Sequence, residues 1–250
     1  MKIVTWNCNG GFRKKLRDAD SLGADLLLIQ ECENPAFHPG HYQTWAGDYL
    51  WAGTDKNRGI GVFPRNGARI SALDWQGKFS ISGFERPHQS QSWSTADLKL
   101  FLPFKVNDTL TILGVWTKGS NSEAFGYIGQ FWKYLQIHDS ELAHPGTMII
   151  GDFNSNAIWD KPDRWWSHST VVAELAQLNI HSLYHHSSGE LQGSESEPTF
   201  YLHRNRQKPY HIDFAFASGD LLSSSSIAVG KAADWLHVSD HMPVIVMVNQ

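Results

Sequence analysis

Asp152 and Asn154 in the stretch GDFNSN, with Asp240 and His241 in SDHMPV, are the residues of this chain whose types and placing suit chemistry. The first pair follows the apolar run TMII (Thr147 to Ile150), and the second immediately precedes VIVMV (Val244 to Val248). A polar group buried without a partner costs several kcal/mol, so a carboxylate, an amide and an imidazole set where strands meet loops point to a site rather than to stability. Other polar residues hold the same kind of position. Asn7 and Asn9 follow the first apolar run, Glu31 the second, Trp116 and Lys118 a middle one, and Asp213 lies inside HIDFAFAS. Each alone has an ordinary reading: Asp213 as a satisfied structural carboxylate, NCNG as a turn, Glu31 as a helix cap or an edge-strand charge. Together they are complementary: hard oxygen ligands for a cation, a carboxylate to orient an imidazole, and amides to hold a phosphate.

The elements that must position them are mostly strands. Short apolar runs separated by polar turns predict strands over Lys2 to Trp6, Asp25 to Gln30, Gly59 to Phe63, Thr109 to Val115, Thr147 to Ile150, His211 to Ala217 and Pro243 to Val248. Helical periodicity is confined to Ala124 to His138, to Ser169 to Leu178 behind a Ser/Thr cap, and more weakly to Phe12 to Leu22. Strands outnumber helices and are evenly spread, which predicts an α/β fold of packed sheets with helices outside. The 250 residues show no repeat and no linker, so one domain is expected, and Ser223 to Ser226 reads as a surface turn.

Composition narrows the partners. A formal charge of -4, from 21 Lys and Arg against 25 Asp and Glu, lacks the basic excess of a general duplex binder, so any polyanion must be met by a local patch. The two cysteines, Cys8 and Cys32, lie in apolar strand-like contexts that suit a reducing compartment. With no apolar run approaching the roughly 18 residues of a membrane span, the expectation is a soluble, cytoplasmic monomer without a membrane or protein partner.

The motifs TWNCNG (Thr5 to Gly10), IQE (Ile29 to Glu31), GDFN (Gly151 to Asn154), IDFAFAS (Ile212 to Ser218) and SDHMPV, in this order over nearly the whole chain, resemble the endonuclease/exonuclease/phosphatase superfamily. The resemblance implies a four-layer αββα sandwich of two packed mixed β-sheets, and cleavage of a phosphate ester with Mg²⁺ or Mn²⁺. It makes Glu31 the principal metal ligand, helped by Asn7 and Asp240, with Asn9 as a supporting or alternate ligand. Asp152 would position or deprotonate the attacking water and Asn154 would hold the phosphate. His241 would donate to a non-bridging oxygen, held in its tautomer by Asp213. Trp116 stands where AP endonucleases carry Tyr and pancreatic-type DNases His. Its indole donates one N–H and cannot transfer a proton. Nearby Lys118 reads either as a phosphate contact or as a solvated lysine, and Gly119-Ser120-Asn121 as an anion-binding turn or a plain loop.

Two segments bear on the substrate. Ala157 to Ser169 interleaves Trp159, Trp165 and Trp166 with Lys161 and Arg164, a pattern that suits bases stacked beside phosphates, or equally tryptophans packed under a loop. Phe200 to Asp213 carries Arg204, Arg206 and Lys208 toward His211, either a phosphate-tracking rim or a charged hairpin tip. The expected activity is therefore a nuclease, exo- or endonucleolytic, acting on short, single-stranded or end-containing nucleic acid. The alternatives are a phosphatase or phosphodiesterase of a small molecule or lipid headgroup, and a silent binding protein on the same scaffold.

Overall fold

The computed structural model describes residues 1–81, 91–119 and 125–249. Its strands are β1 (Lys2–Asn7), β2 (Leu26–Cys32), β3 (Leu50–Asp55), β4 (Arg58–Pro64), β5 (Ile70–Ala72), β6 (Lys78–Ile81), β7 (Gln91–Ser94), β8 (Phe101–Val106), β9 (Leu110–Trp116), β10 (Thr147–Asp152), β11 (Ile180–Ser182), β12 (Phe200–Tyr201), β13 (Pro209–Tyr210), β14 (Asp213–Ser218), β15 (Ser225–Val229) and β16 (Val244–Val248). The helices are α1 (Leu16–Ser21), α2 (His41–Ala46), α3 (Ile128–Leu142), α4 (His168–Gln177), α5 (Leu183–Ser188), α6 (Gly219–Leu222) and α7 (Ala232–Trp235).

Strands that are apolar on both faces must be covered on both, and this decides the layering. In β2, Leu26 and Leu28 face one way and join Ile3, Val62 and Val246 against Phe104, Ile112, Met148, Ile150 and Ala215 of the other sheet. Leu27 and Ile29 face the opposite way, onto Phe12 and Leu16, Tyr42 and Ala46 around α1 and α2. The second sheet repeats the arrangement, with Leu113, Ile149 and Phe214 packed under Phe131, Trp132 and Leu135 of α3 and Val171 and Leu175 of α4. Two six-stranded sheets, ordered β15-β16-β1-β2-β4-β3 and β11-β14-β10-β9-β8-β5, thus lie between helical layers. Both are mixed: β1 runs parallel to β2 and antiparallel to β16, and β10 parallel to β9 and antiparallel to β14. The expected αββα sandwich is the fold observed.

Element boundaries differ from expectation where tertiary contacts intervene. The segment Phe12 to Leu22 is not one helix: a 3₁₀ turn over Phe12–Lys14 ends at Lys15, whose ammonium donates to the Cys8 carbonyl, and α1 follows. Helix α3 starts at Ile128, after Tyr127 at φ 53°, and extends past a kink at His138 to Leu142. Phe125 therefore packs against the core from a turn, while residue 124 lies outside the described residues. The cap of α4 is Ser167, whose Oγ accepts from Thr170 N–H, two residues before the predicted start. Ser225 and Ser226 are no surface turn; they open the edge strand β15 and pair with Val248 and Met247.

Candidate active site

Four strand ends meet at one rim of the sandwich. Strand pairing sets Asn7 beside Gln30, next to Glu31, in one sheet, and Asp152 directly opposite Asp213 in the other. Buried Asn7 joins the sheets: its Nδ2 donates to Asp152 Oδ2 at 2.9 Å and to Glu31 Oε1 at 3.4 Å. Asn154 folds back on the same carboxylate, its backbone N–H reaching Asp152 Oδ1 at 2.8 Å and its Nδ2 reaching Oδ2 at 2.9 Å. Gly151 makes this approach possible. A Cβ there would stand 1.9 Å from the Val115 carbonyl oxygen, so no larger residue lets β10 lie against β9 at this point.

His241 completes the group. Its Nδ1 meets Asp213 Oδ2 at 2.9 Å and Oδ1 at 3.2 Å, so Nδ1 carries the proton and Nε2 is the nitrogen that remains for a ligand. One ligand-type atom each from Asp152, Asp213 and His241 lies within 4.8 Å of the others. Burial, the largest influence on His241, pulls its pKa down, but the Asp213 and Asp152 charges and the Asp213 hydrogen bond outweigh it and hold the ring at about 9. Burial first, and then the Asp213 charge, raises Asp152 to about 7, against the opposing effects of His241, Asn7 and the Asn154 N–H. Two facing carboxylates around an imidazolium leave Asp152 with the proton affinity of a base working near neutral pH.

Glu31 owes its position to an irregularity. The pairing of β2 with β4 shifts between Gln30 and Cys32, and the extra residue, Glu31, takes φ 62°. Such a bulge turns a side chain out of the sheet's alternation. Asn9 at φ 54° and Asn154 at φ 45° share this left-handed backbone, so strain gathers at the site. Glu31 is half-buried, unlike the buried Asp152 and Asp213, with Oε2 3.3 Å from Arg58 Nη1. The carboxylates of Glu31 and Asp152, converging on one amide, and Asp213 beside His241 are hard oxygen donors with one imidazole among them, a set that fits a divalent cation.

Other predicted residues fall in different places. Asn7 gives its amide oxygen to Asn9 N–H at 2.9 Å, so here it presents nitrogen rather than oxygen to the carboxylates. Asp240 is half-buried, and its carbonyl accepts from Tyr201 N–H beside the site. His211, expected as a substrate contact, is engaged inside the protein. It is buried, its Nδ1 faces the Glu197 carbonyl at 2.7 Å, and its ring lies 4.6 Å from Tyr184 and 4.9 Å from Phe214. Arg204 is likewise engaged, donating to the carbonyls of His237 and Val238 and so fastening the segment before Asp240. Trp116 is buried opposite Asp152, with Lys118 Nζ 5.6 Å from its ring centre. Trp165 meets Phe125, Trp132 and Trp166 edge-to-face, and Trp166 lies tilted over Phe125 at 4.3 Å, while Lys161 and Arg164 are exposed. Ser120 and Asn121 lie outside the described residues.

Three supporting residues escape the sequence reading. Thr199 Oγ1 accepts from the backbone N–H of Ile212 and Asp213, anchoring the start of β14. Ser239 Oγ donates to the Asn7 carbonyl and accepts from His241 N–H, tying β1 to the last loop. Arg58 reaches Glu31 from the β3–β4 hairpin. Ser239 sits inside a recognised motif, but Thr199 and Arg58 carry no local signal.

The chain's fold is shared with several solved structures. The 3'-5' exonuclease NExo of Neisseria meningitidis superposes with a TM-score of 0.69 at 18% identity over 100% of both chains. The endonuclease domain of TRAS1, a telomere-specific non-LTR retrotransposon, gives 0.60 at 14% identity, covering 99% of this chain and 97% of that one. Truncated TDP2 of Caenorhabditis elegans gives 0.62 at 12%, covering 100% and 97%. A further NExo structure is described as a 3' phosphatase bound to a product DNA hairpin. No match was found among curated proteins. The family model for the Endonuclease/Exonuclease/phosphatase family matches residues 4–241, from within β1 to the histidine of the buried pair. With that match spanning nearly the whole chain, the chain belongs to the endonuclease/exonuclease/phosphatase family.

Proposed function

We propose that this protein is a metal-dependent phosphodiesterase that hydrolyses nucleic acid, on short, single-stranded or end-containing DNA or RNA. The observation that carries the reading is buried Asp152, hydrogen-bonded to Asn7 and Asn154 and flanked by the His241–Asp213 pair, with Glu31 at the mouth. In this reading Asp152 takes the proton of the attacking water, and Asn154 holds the scissile phosphate. His241 donates from Nε2 to a non-bridging oxygen, and Asp213 keeps it oriented and charged. Glu31 would hold Mg²⁺ or Mn²⁺, with Asn9 and Asp240 supporting it, while Asn7 Nδ2 holds the Glu31 and Asp152 carboxylates in place. The bound cation polarises a phosphoryl oxygen and offsets its negative charge. Catalysis by this set is positioning and charge neutralisation, which in-line attack on phosphorus chiefly needs. Nucleic acid as substrate is supported by exposed Lys118, Lys161 and Arg164 on an otherwise acidic chain and by the nucleases that share the fold.

A substrate panel of single-stranded DNA, duplex DNA, abasic DNA, RNA, inositol phosphates and p-nitrophenyl phosphodiesters, with Mg²⁺, Mn²⁺ or EDTA, tests this. Turnover of an oligonucleotide is expected with metal and none with EDTA. Turnover confined to the small esters would overturn the nucleic-acid assignment. Glu31→Gln should lower Mn²⁺ affinity in calorimetry and lower kcat by about 100-fold or more while the melting curve is kept, because the ligand is lost and the fold is not. Unchanged Mn²⁺ affinity would remove Glu31 from the metal site.

A further inference from the structure

A cleft of about 340 Å³ opens beside Asn154, between the start of α3 and the segment from Asn156 to Ser167. We infer that it is a single-nucleotide pocket, which holds the nucleotide flanking the scissile phosphate by stacking its base on Trp159 and meeting its phosphates with Lys161 and Arg164. This deepens the nuclease reading and rests on it for the placing of the scissile phosphate.

The ligand class follows from what the lining has left to offer. Its polar side chains are largely committed inside the protein. Asn156 Nδ2 donates to Glu195 and to the His211 carbonyl, and its Oδ1 accepts from Ile158 N–H. Ser155 Oγ faces His168 Nδ1, Ser167 Oγ accepts from Thr170 N–H, and the Asp160 carboxylate takes the N–H groups of His168 and Ser169. Aromatic faces and cations remain. Trp159 is 45% exposed, with the Tyr210 ring centre 5.1 Å from its own, and Tyr127, also in the lining, is 37% exposed. Tyr127 holds φ 53°, a backbone that a bulky residue adopts only when its surroundings impose it. Among the described residues neither Lys161 nor Arg164 has a carboxylate within ion-pair distance. An aromatic wall beside unpaired cations binds a flat ring carrying phosphate and, with few free hydrogen-bonding groups, does not choose among bases. The volume lies at the low end of the roughly 300–1,000 Å³ of small-ligand sites, which admits one nucleotide and not a stacked run. The substrate class so named is a nucleic acid with a terminal or unstacked nucleotide at the cleaved bond.

Calorimetry in EDTA with dAMP, dTMP and deoxyribose 5-phosphate tests the pocket without turnover. The two nucleotides should bind alike and more tightly than the sugar phosphate by about 5- to 150-fold, the range for one base stacked on an aromatic ring. Trp159→Ala should bring both nucleotides down to the level of the sugar phosphate, and Trp159→Phe should restore most of the difference. Lys161→Ala combined with Arg164→Ala should weaken all three ligands together. A folded Trp159→Ala protein that still prefers nucleotides, or a preference above tenfold for one base, overturns the pocket. The substrate panel judges the nuclease reading separately: oligonucleotide turnover with no nucleotide preference would remove the pocket alone, whereas nucleotide binding with turnover of small esters only would remove the nuclease.

Discussion

His241 and Asp213 form one buried hydrogen-bonded pair, with Nδ1 of the ring meeting both carboxylate oxygens. Removing either partner leaves the other charge uncompensated, so most of the damage is done by the first substitution. His241→Ala and Asp213→Asn are each expected to lower kcat by about 10²–10⁴-fold. The double variant should fall little further, since residues that work together are non-additive. Multiplicative losses in a double-mutant cycle would show that the two work separately. This pairing was legible in the sequence through two motifs. The raised proton affinity of Asp152 was not, since it depends first on burial between the sheets and then on Asp213 standing directly opposite across the β10–β14 pair.

Two irregularities in otherwise regular strands make the site at the scale of elements. The Glu31 bulge turns a carboxylate into the rim, and Gly151 lets the end of β10 close on β9. Gly151→Ala should therefore be destabilising by more than the roughly 1–3 kcal/mol usual for an added methylene, because the obstacle is backbone and cannot swing aside. Chemical denaturation measures this, and a variant as stable as the parent would mean that the strands separate without cost. The sequence shows why such elements are only partly readable. Apolar runs announced β1, β2, β4, β9, β10, β14 and β16, whereas β8 carries Pro103 in its middle and β15 opens on serines. Both are recruited by neighbours: β8 by β9 and β5, and β15 by β16 alone at a sheet edge.

At the scale of the whole molecule, the rim depends on cross-links that hold its loops to the outer layers. Glu195 is one: its carboxylate accepts from Asn156 Nδ2 at 3.0 Å and Gly193 N–H at 2.9 Å and lies 3.2 Å from His185 Nε2 in α5. Burial by itself would raise the carboxyl, but the His185, Gly193 and Asn156 hydrogen bonds lower it from 4.5 to about 2. A carboxyl depressed in the folded state stabilises the protein above its unfolded pKa, and that contribution is lost as pH falls from about 4.5 toward about 2. The melting temperature of the parent should thus fall more steeply over this window than that of Glu195→Gln. Parallel curves would show that Glu195 is not such a link. No helix among the described residues is long and apolar enough to cross a membrane.

What the sequence determined by itself was the kind of chemistry and the kind of fold. Strands that outnumber helices and are evenly spread predict packed sheets with helices outside, and the order of the polar motifs, through the family they resemble, implied a sandwich with their strand ends on one rim. Only the tertiary structure decided which polar residues meet. His211 lies two residues before Asp213 and faces the opposite way, into Tyr184 and Phe214. Arg204 turns to backbone carbonyls, and the exposed tryptophan beside Asn154 is Trp159 rather than Trp166. Side-chain direction depends on strand register, bulges and the neighbours each residue packs against, and those are set by residues distant in the chain, so local spacing cannot encode it.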